Sequence, residues 1–182
     1  MLLQWSAPEY MPHSFQVSGL SGTVGHKQTG NCFDLTKQVA DGFVGMQELS
    51  KGLFLVQSEM AFKRETELYE EYPERKVFQL SFCMNGICEW DYRQKQGEHY
   101  QLSPTQCSLQ CGTFSKCVSH FSSEQPYRTL SISLEQERFP SLSEDLEAAH
   151  LIRRDDKICT HVFSTTPEIR LVLQQLLDCP PE

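Results

Sequence analysis

Lys76 to Arg93 reads KVFQLSFCMNGICEWDYR, two runs rich in aromatic and aliphatic residues on either side of Asn85-Gly86. An Asn-Gly pair between such runs is a strong local signal for a β-hairpin, because a type I′ turn needs positive φ at both central residues. With Met84 and Ile87 bracketing the turn, the expected antiparallel register sets Cys83 opposite Cys88, Phe82 opposite Glu89 and Ser81 opposite Trp90. Side chains alternate along a strand, so Ser81, Cys83, Cys88, Trp90 and Tyr92 share one face and Phe78, Leu80 and Phe82 the other. Both faces of the first strand are apolar or thiol-bearing. That suits a sheet that is packed on both sides or wrapped around a cavity.

Working outward, Phe43–Leu49 and Leu53–Met60 read as strands joined by a Ser-Lys-Gly turn. The charged stretch Glu65–Arg75, with Pro73, reads as a loop or exposed edge. Downstream, His99–Leu102 starts a strand, and Cys107, Leu109 and Cys111 share one face of the next. Lys116–Ser122 and Tyr127–Glu135 follow, the latter with Leu130, Ile132 and Leu134 on one side. Strands of ~5–9 residues with turn signals every ~8–12 favour a sandwich or barrel. Beyond Phe139-Pro140 the pattern turns helical from Ser141 to about Ala149, with one more strand over Ile158–Phe163. Thr166-Pro167-Glu168 then opens a last helix: a capping threonine, proline at the first helical position and an acid near the positive end of the dipole. Its apolar stripe is Ile169, Val172, Leu173, Leu176 and Leu177, and Pro180-Pro181 ends it. Residues 1–30, rich in Gly, Pro, Ser and Thr, show no lasting period and read as an extended, flexible arm. The expected division is therefore an arm over 1–30, a mainly β domain over 31–140 and a helical segment over 141–182.

The 182 residues are 39% hydrophobic and 22% charged, with a formal charge of −8. One sizeable core is affordable at this length, and the acidic balance does not suit a chain that binds nucleic acid alone. No apolar run reaches the ~18 residues of a membrane span, and the first residues lack the pattern of a signal peptide, so a cytoplasmic location without membrane contact is expected. None of the six histidines lies close to another in the chain, and Lys76–Arg93 contains none. A cupin-type metal site, built on a His-x-His pair with a nearby Glu, lacks its ligands there, and no metal or other cofactor is expected. Cys117 and His120 are three apart on a strand and so on opposite faces, which argues against a nucleophilic dyad.

Two thiol arrangements carry other readings. Cys83 and Cys88, facing each other behind the turn, are close enough in a hairpin for a redox switch. Cys107 and Cys111 begin a C-x3-C-x5-C array with Cys117, but residues four apart on a strand lie ~13 Å apart, too far for a shared metal without a bend. Trp90 and Tyr92 offer a flat apolar wall with polar tips, as a small-molecule pocket requires.

The segments FDLTKQVADGFVGMQELSKGLFL, FQLSFCMNGICEW, YQLSP and TTPEIRLVLQQLLDCP, in this order over about residues 33–180, resemble the N-terminal regulatory half of AraC-type transcription activators. Within that superfamily the pattern is most similar to the PchR-like, siderophore-responsive branch. The resemblance implies a cupin-like antiparallel β-barrel or sandwich with one or two C-terminal helices, a non-enzyme that binds a small effector. Ligand contacts are expected at Trp90, Tyr92, Phe78, Phe82, Tyr100 and Leu109, and the effector would be an iron-loaded siderophore. DNA would be contacted only through a C-terminal half with two helix-turn-helix units, which this chain is expected to lack. The last helix is expected to take part in signalling or in a homodimer contact. Two other classes compete: a redox or metal sensor using Cys83, Cys88, Cys107 and Cys111 on the same scaffold, and a metal-dependent cupin enzyme.

Overall fold

A computed structural model describes residues 2–5, 14–17, 32–33, 39–71, 76–92, 98–113, 116–152 and 158–178. The strands are β1 (Leu2–Trp5), β2 (Ser14–Val17), β3 (Cys32–Phe33), β4 (Ala40–Ser50), β5 (Leu53–Phe62), β6 (Thr66–Glu71), β7 (Lys76–Asn85), β8 (Cys88–Tyr92), β9 (His99–Leu102), β10 (Gln106–Thr113), β11 (Lys116–Phe121), β12 (Tyr127–Glu135) and β13 (Ile158–Ser164). A 3-10 turn over Gln136–Arg138 leads into α1 (Pro140–Ala148), and α2 (Pro167–Asp178) follows β13. Eight strands form one sheet in the order β13-β10-β7-β12-β5-β4-β1-β3, and five form a second in the order β2-β6-β11-β8-β9. The ladders are antiparallel except for β1 on β4. The expected mainly β, cupin-like architecture is borne out, as a sandwich rather than a closed barrel.

The turn at Asn85-Gly86 is not a hairpin. Both edges of β7 are taken by β10 and β12, and both edges of β8 by β11 and β9, so the two strands sit in different sheets and do not pair. The backbone shows the same thing: Gly86 has φ +77, whereas Asn85 is not among the described residues with positive φ, so a type I′ turn is not formed. The pair makes a corner instead. Asn85 Nδ2 donates to Pro126 O at 3.0 Å, and a Cβ on Gly86 would lie 2.7 Å from that same oxygen. Glycine is needed both for its left-handed φ and for this close approach.

The face assignments survive the corner, because alternation belongs to each strand separately. Phe78, Leu80 and Phe82 point out of the sandwich, where two helices cover them. Phe82, Cys107 and Leu130 pack with Leu173 of α2, and Leu177 lies against the same cluster. Phe78, Cys111 and Ile152 form the neighbouring cluster, with Leu142 and Leu146 of α1 and with Leu109 and Leu134 against it. Cys83, Cys88, Trp90 and Tyr92 face inward and pack together with Leu102 and Ile158.

Thr66–Glu71, read as loop or edge, is a strand within the second sheet, between β2 and β11. Within residues 1–30, the described segments are β1, which pairs on the larger sheet, and β2, which pairs on the smaller. Helix α2 begins where its capping signal places it: Ile169 N donates to Thr166 Oγ1 at 3.4 Å, and Thr165 N is tied to Thr105 O at 2.7 Å. His13, His26, Pro73, Cys179 and Pro180-Pro181 lie outside the described residues.

A polar interior between the sheets

The inner face of the larger sheet is lined with small polar side chains where a sandwich would ordinarily place aliphatic ones. Register aligns them in rows across strands: Ser108 beside Ser81 beside Ser131, Gln110 beside Gln79 beside Ser133, and Thr129 beside Ser58. Ser58, Ser81, Ser108, Gln110, Thr129 and Ser131 are all buried. Burying such groups is costly unless they bond one another. Here Ser131 Oγ donates to Ser81 Oγ at 2.9 Å, and Gln79 Nε2 to the same oxygen at 3.1 Å. Gln110 Nε2 donates to Ser108 Oγ at 3.1 Å, and the Tyr92 hydroxyl donates across the space to Gln110 Oε1.

The smaller sheet supplies the aromatic wall. Trp90 stacks on Tyr100 with ring centroids 5.6 Å apart, and Tyr92 meets Tyr100 edge-on at 5.7 Å. Tyr100 is half-buried and its hydroxyl donates to the exposed Glu98, which marks the rim of this wall. Burial, and then the Glu98 carboxylate, push its pKa up to about 12. Burial also lifts Tyr92 well above the usual phenol value, reinforced by the neighbouring Cys117 and opposed by Trp90 and Thr160. Trp90 Nε1 and Thr160 Oγ1 are fully enclosed in this interior, and among the described residues the Tyr92 hydroxyl is the polar group whose rise in pKa both of them oppose. Trp90 itself is only 7% exposed.

Of the residues expected to contact a ligand, the fold brings Trp90, Tyr92 and Tyr100 together between the sheets. Phe78, Phe82 and Leu109 lie on the opposite face of the larger sheet, in the clusters under α1 and α2. The polar row was legible as a period of two in QLS, CSLQ and TLSIS, but polar alternation ordinarily marks a solvent face. The helices reverse that rule here by covering the aliphatic side.

The four cysteines separate likewise. Cys83 and Cys88 are adjacent free thiols in the inner core. The Cys88 S–H and Cys83 sulfur share a hydrogen bond that holds the Cys83 thiol below its usual pKa against burial and raises that of Cys88. Cys107 and Cys111 lie in the two different outer clusters, as their spacing predicts.

Fold and interior together define a cupin-like β-sandwich whose interior sets a row of small polar side chains against an aromatic wall. The chain belongs to the family described as the regulatory protein PchR N-terminal domain, which matches residues 41–182. Apo ToxT K231A from Vibrio cholerae shares the fold at 10% identity and TM-score 0.50, over 75% of this chain and 50% of that one. A second ToxT structure from Vibrio cholerae aligns at 10% identity and TM-score 0.47, over 72% of this chain and 49% of that one. The AraC-like activator CuxR aligns at 8% identity and TM-score 0.41, over 73% and 43%. The chain thus spans half or less of the length of these solved regulators. No curated protein matches it.

Proposed function

We propose that this domain is an effector sensor, not an enzyme, and that it binds a small molecule between the two sheets. The observation that carries the reading is the buried polar row of Ser81, Ser108, Gln110 and Ser131 on one sheet, facing the Trp90, Tyr92 and Tyr100 rings of the other and joined to them by the Tyr92–Gln110–Ser108 network. An aromatic guest rich in oxygen acceptors answers both walls, and the ferric complex of a phenolate or catecholate siderophore has that chemistry. Phe78, Phe82 and Leu109 then act at one remove, through the sheet that carries Gln79, Ser81, Ser108 and Gln110. The thiol pair supports a second reading, in which Cys83 and Cys88 are a redox switch within the same core.

Signal output requires different affinity for two arrangements of the domain. Helix α2 packs on the larger sheet through Leu173, directly behind the strands whose inner faces bear the serine rows, and it leads toward a DNA-binding half beyond residue 182. Native mass spectrometry tests both readings at once, on the protein as purified and after incubation with a ferric siderophore. A bound ferric complex, weakened about tenfold in Trp90→Phe by loss of one hydrogen bond, is the expected result. Unchanged affinity in that variant removes Trp90 from the site. A mass lower by two hydrogens after mild oxidation, with no ligand retained, favours the thiol switch.

A further inference from the structure

The outer face of the smaller sheet carries a cluster that the interior does not use. Asp91, the fourth of the five residues of β8, is directly opposite His99 of β9, while His120 of β11 lies diagonally across on the other flank. Each carboxylate oxygen faces one imidazole: Asp91 Oδ1 is 3.0 Å from His99 Nδ1, and Asp91 Oδ2 is 2.6 Å from His120 Nε2. One ligand atom from each residue lies within 4.8 Å of the other two, and the imidazole centroids are 6.0 Å apart. Bonds of ~2.0–2.2 Å from one ion would hold such atoms about 3 Å apart, so only small side-chain rotations separate this arrangement from a coordinating one. His99 is exposed and the other two are half-buried, which leaves an entry path from solvent.

We propose that Asp91, His99 and His120 bind a first-row divalent ion, zinc(II) in particular, and so clamp β11, β8 and β9 together from outside. Two imidazoles and one carboxylate suit zinc, copper, nickel and iron(II) and poorly suit calcium or magnesium. The fourth position is left to water, as in open zinc sites. Glu67 Oε1 stands 3.7 Å from the second nitrogen of His120, Nδ1. At that separation Glu67 is an ion-pair neighbour of His120 and not a ligand. The clamp has an inner consequence: Trp90 and Tyr92 flank Asp91 and Tyr100 follows His99, so two of the three clamped strands, β8 and β9, carry the aromatic wall. The proposal is independent of the effector reading, since it concerns the opposite face of the sheet.

The test uses tag-free, chelator-stripped protein titrated with cobalt(II), followed by visible absorption, and with zinc(II), followed by calorimetry. One equivalent should bind, with the weak d–d bands of nitrogen and oxygen coordination and no thiolate charge-transfer band in the near ultraviolet. Zinc should raise the melting temperature, by an amount that grows with the logarithm of free zinc above the dissociation constant. His99→Gln, His120→Gln and Asp91→Asn should each lose most of the affinity, while circular dichroism of each variant stays native. A thiolate band would move the ion to the cysteines. That result overturns the proposal, as does undiminished binding in the His99→Gln/His120→Gln double variant or no binding by the wild-type chain.

Discussion

At the scale of single residues, position in a strand decided chemistry more than residue type did. Tyr92 and Tyr100 are neighbours in one aromatic wall, yet one hydroxyl is buried on Gln110 and the other reaches Glu98 at the rim. Tyr92→Phe should therefore lower stability by about 1–3 kcal/mol, because it strips Gln110 Oε1 of a donor inside the core. Denaturant titration reads this directly, and a loss below a few tenths of a kcal/mol would mean that water or another side chain takes the place of the phenol. That Trp90 and Tyr92 share an inner face with Cys83 and Cys88 was legible from their alternation alone. His99 and His120 were not legible as partners, since 20 residues separate them and only the pairing of β8 with both β9 and β11 brings them to Asp91.

At the scale of elements, α2 shows how one stripe can serve two surfaces. Its five apolar residues cover more of the helix than the sheet can accept. Leu173 is buried on Phe82 and Leu130, and Leu177 packs beside it, while Ile169, Val172 and Leu176 stay exposed. Leu173→Ala should cost about 2–4 kcal/mol, visible as a lower melting temperature. Val172→Glu should leave that temperature unchanged and, if the exposed half of the stripe forms the proposed homodimer contact, shift sedimentation toward the monomer. Unaltered sedimentation would exclude a dimer through this face. Capping threonine, leading proline and helical period were all local signals, which is why the bounds of α2 matched expectation. Asn85-Gly86 was local too, but a turn signal states only that the chain reverses. Whether the two arms pair or part depends on which edges other strands have already taken.

At the scale of the molecule, the chain changes sheets at most of its connections from β5 to β12, and those crossings hold the sandwich together. One carboxylate staples two of them. Glu65, between β5 and β6, accepts hydrogen bonds from Ser122 Oγ at 3.0 Å, Ser123 N at 3.0 Å and Ser123 Oγ at 3.3 Å, all between β11 and β12. The Ser123 N–H, and then the Ser122 hydroxyl, hold its carboxyl below the ordinary value of 4.5. A depressed folded-state pKa contributes stability above the unfolded value and loses it as pH falls through the folded value. Urea midpoints should thus be insensitive to Glu65→Gln in their pH slope near neutrality and show a shallower acid limb in the variant below about pH 4. Identical acid limbs would show that the staple is not formed in solution.

Most strand and helix positions (Thr66–Glu71 excepted), the alternation of faces and the capped start of α2 were determined by the amino-acid sequence itself, because each depends on neighbours within one turn or one pleat. The separation of β7 from β8, the polar interior under an aliphatic exterior and the Asp91–His99–His120 cluster were decided only by tertiary structure. Each of these depends on which strand takes which edge and which face a helix covers. Such choices are made among segments tens of residues apart, where periodicity carries no record of the partner.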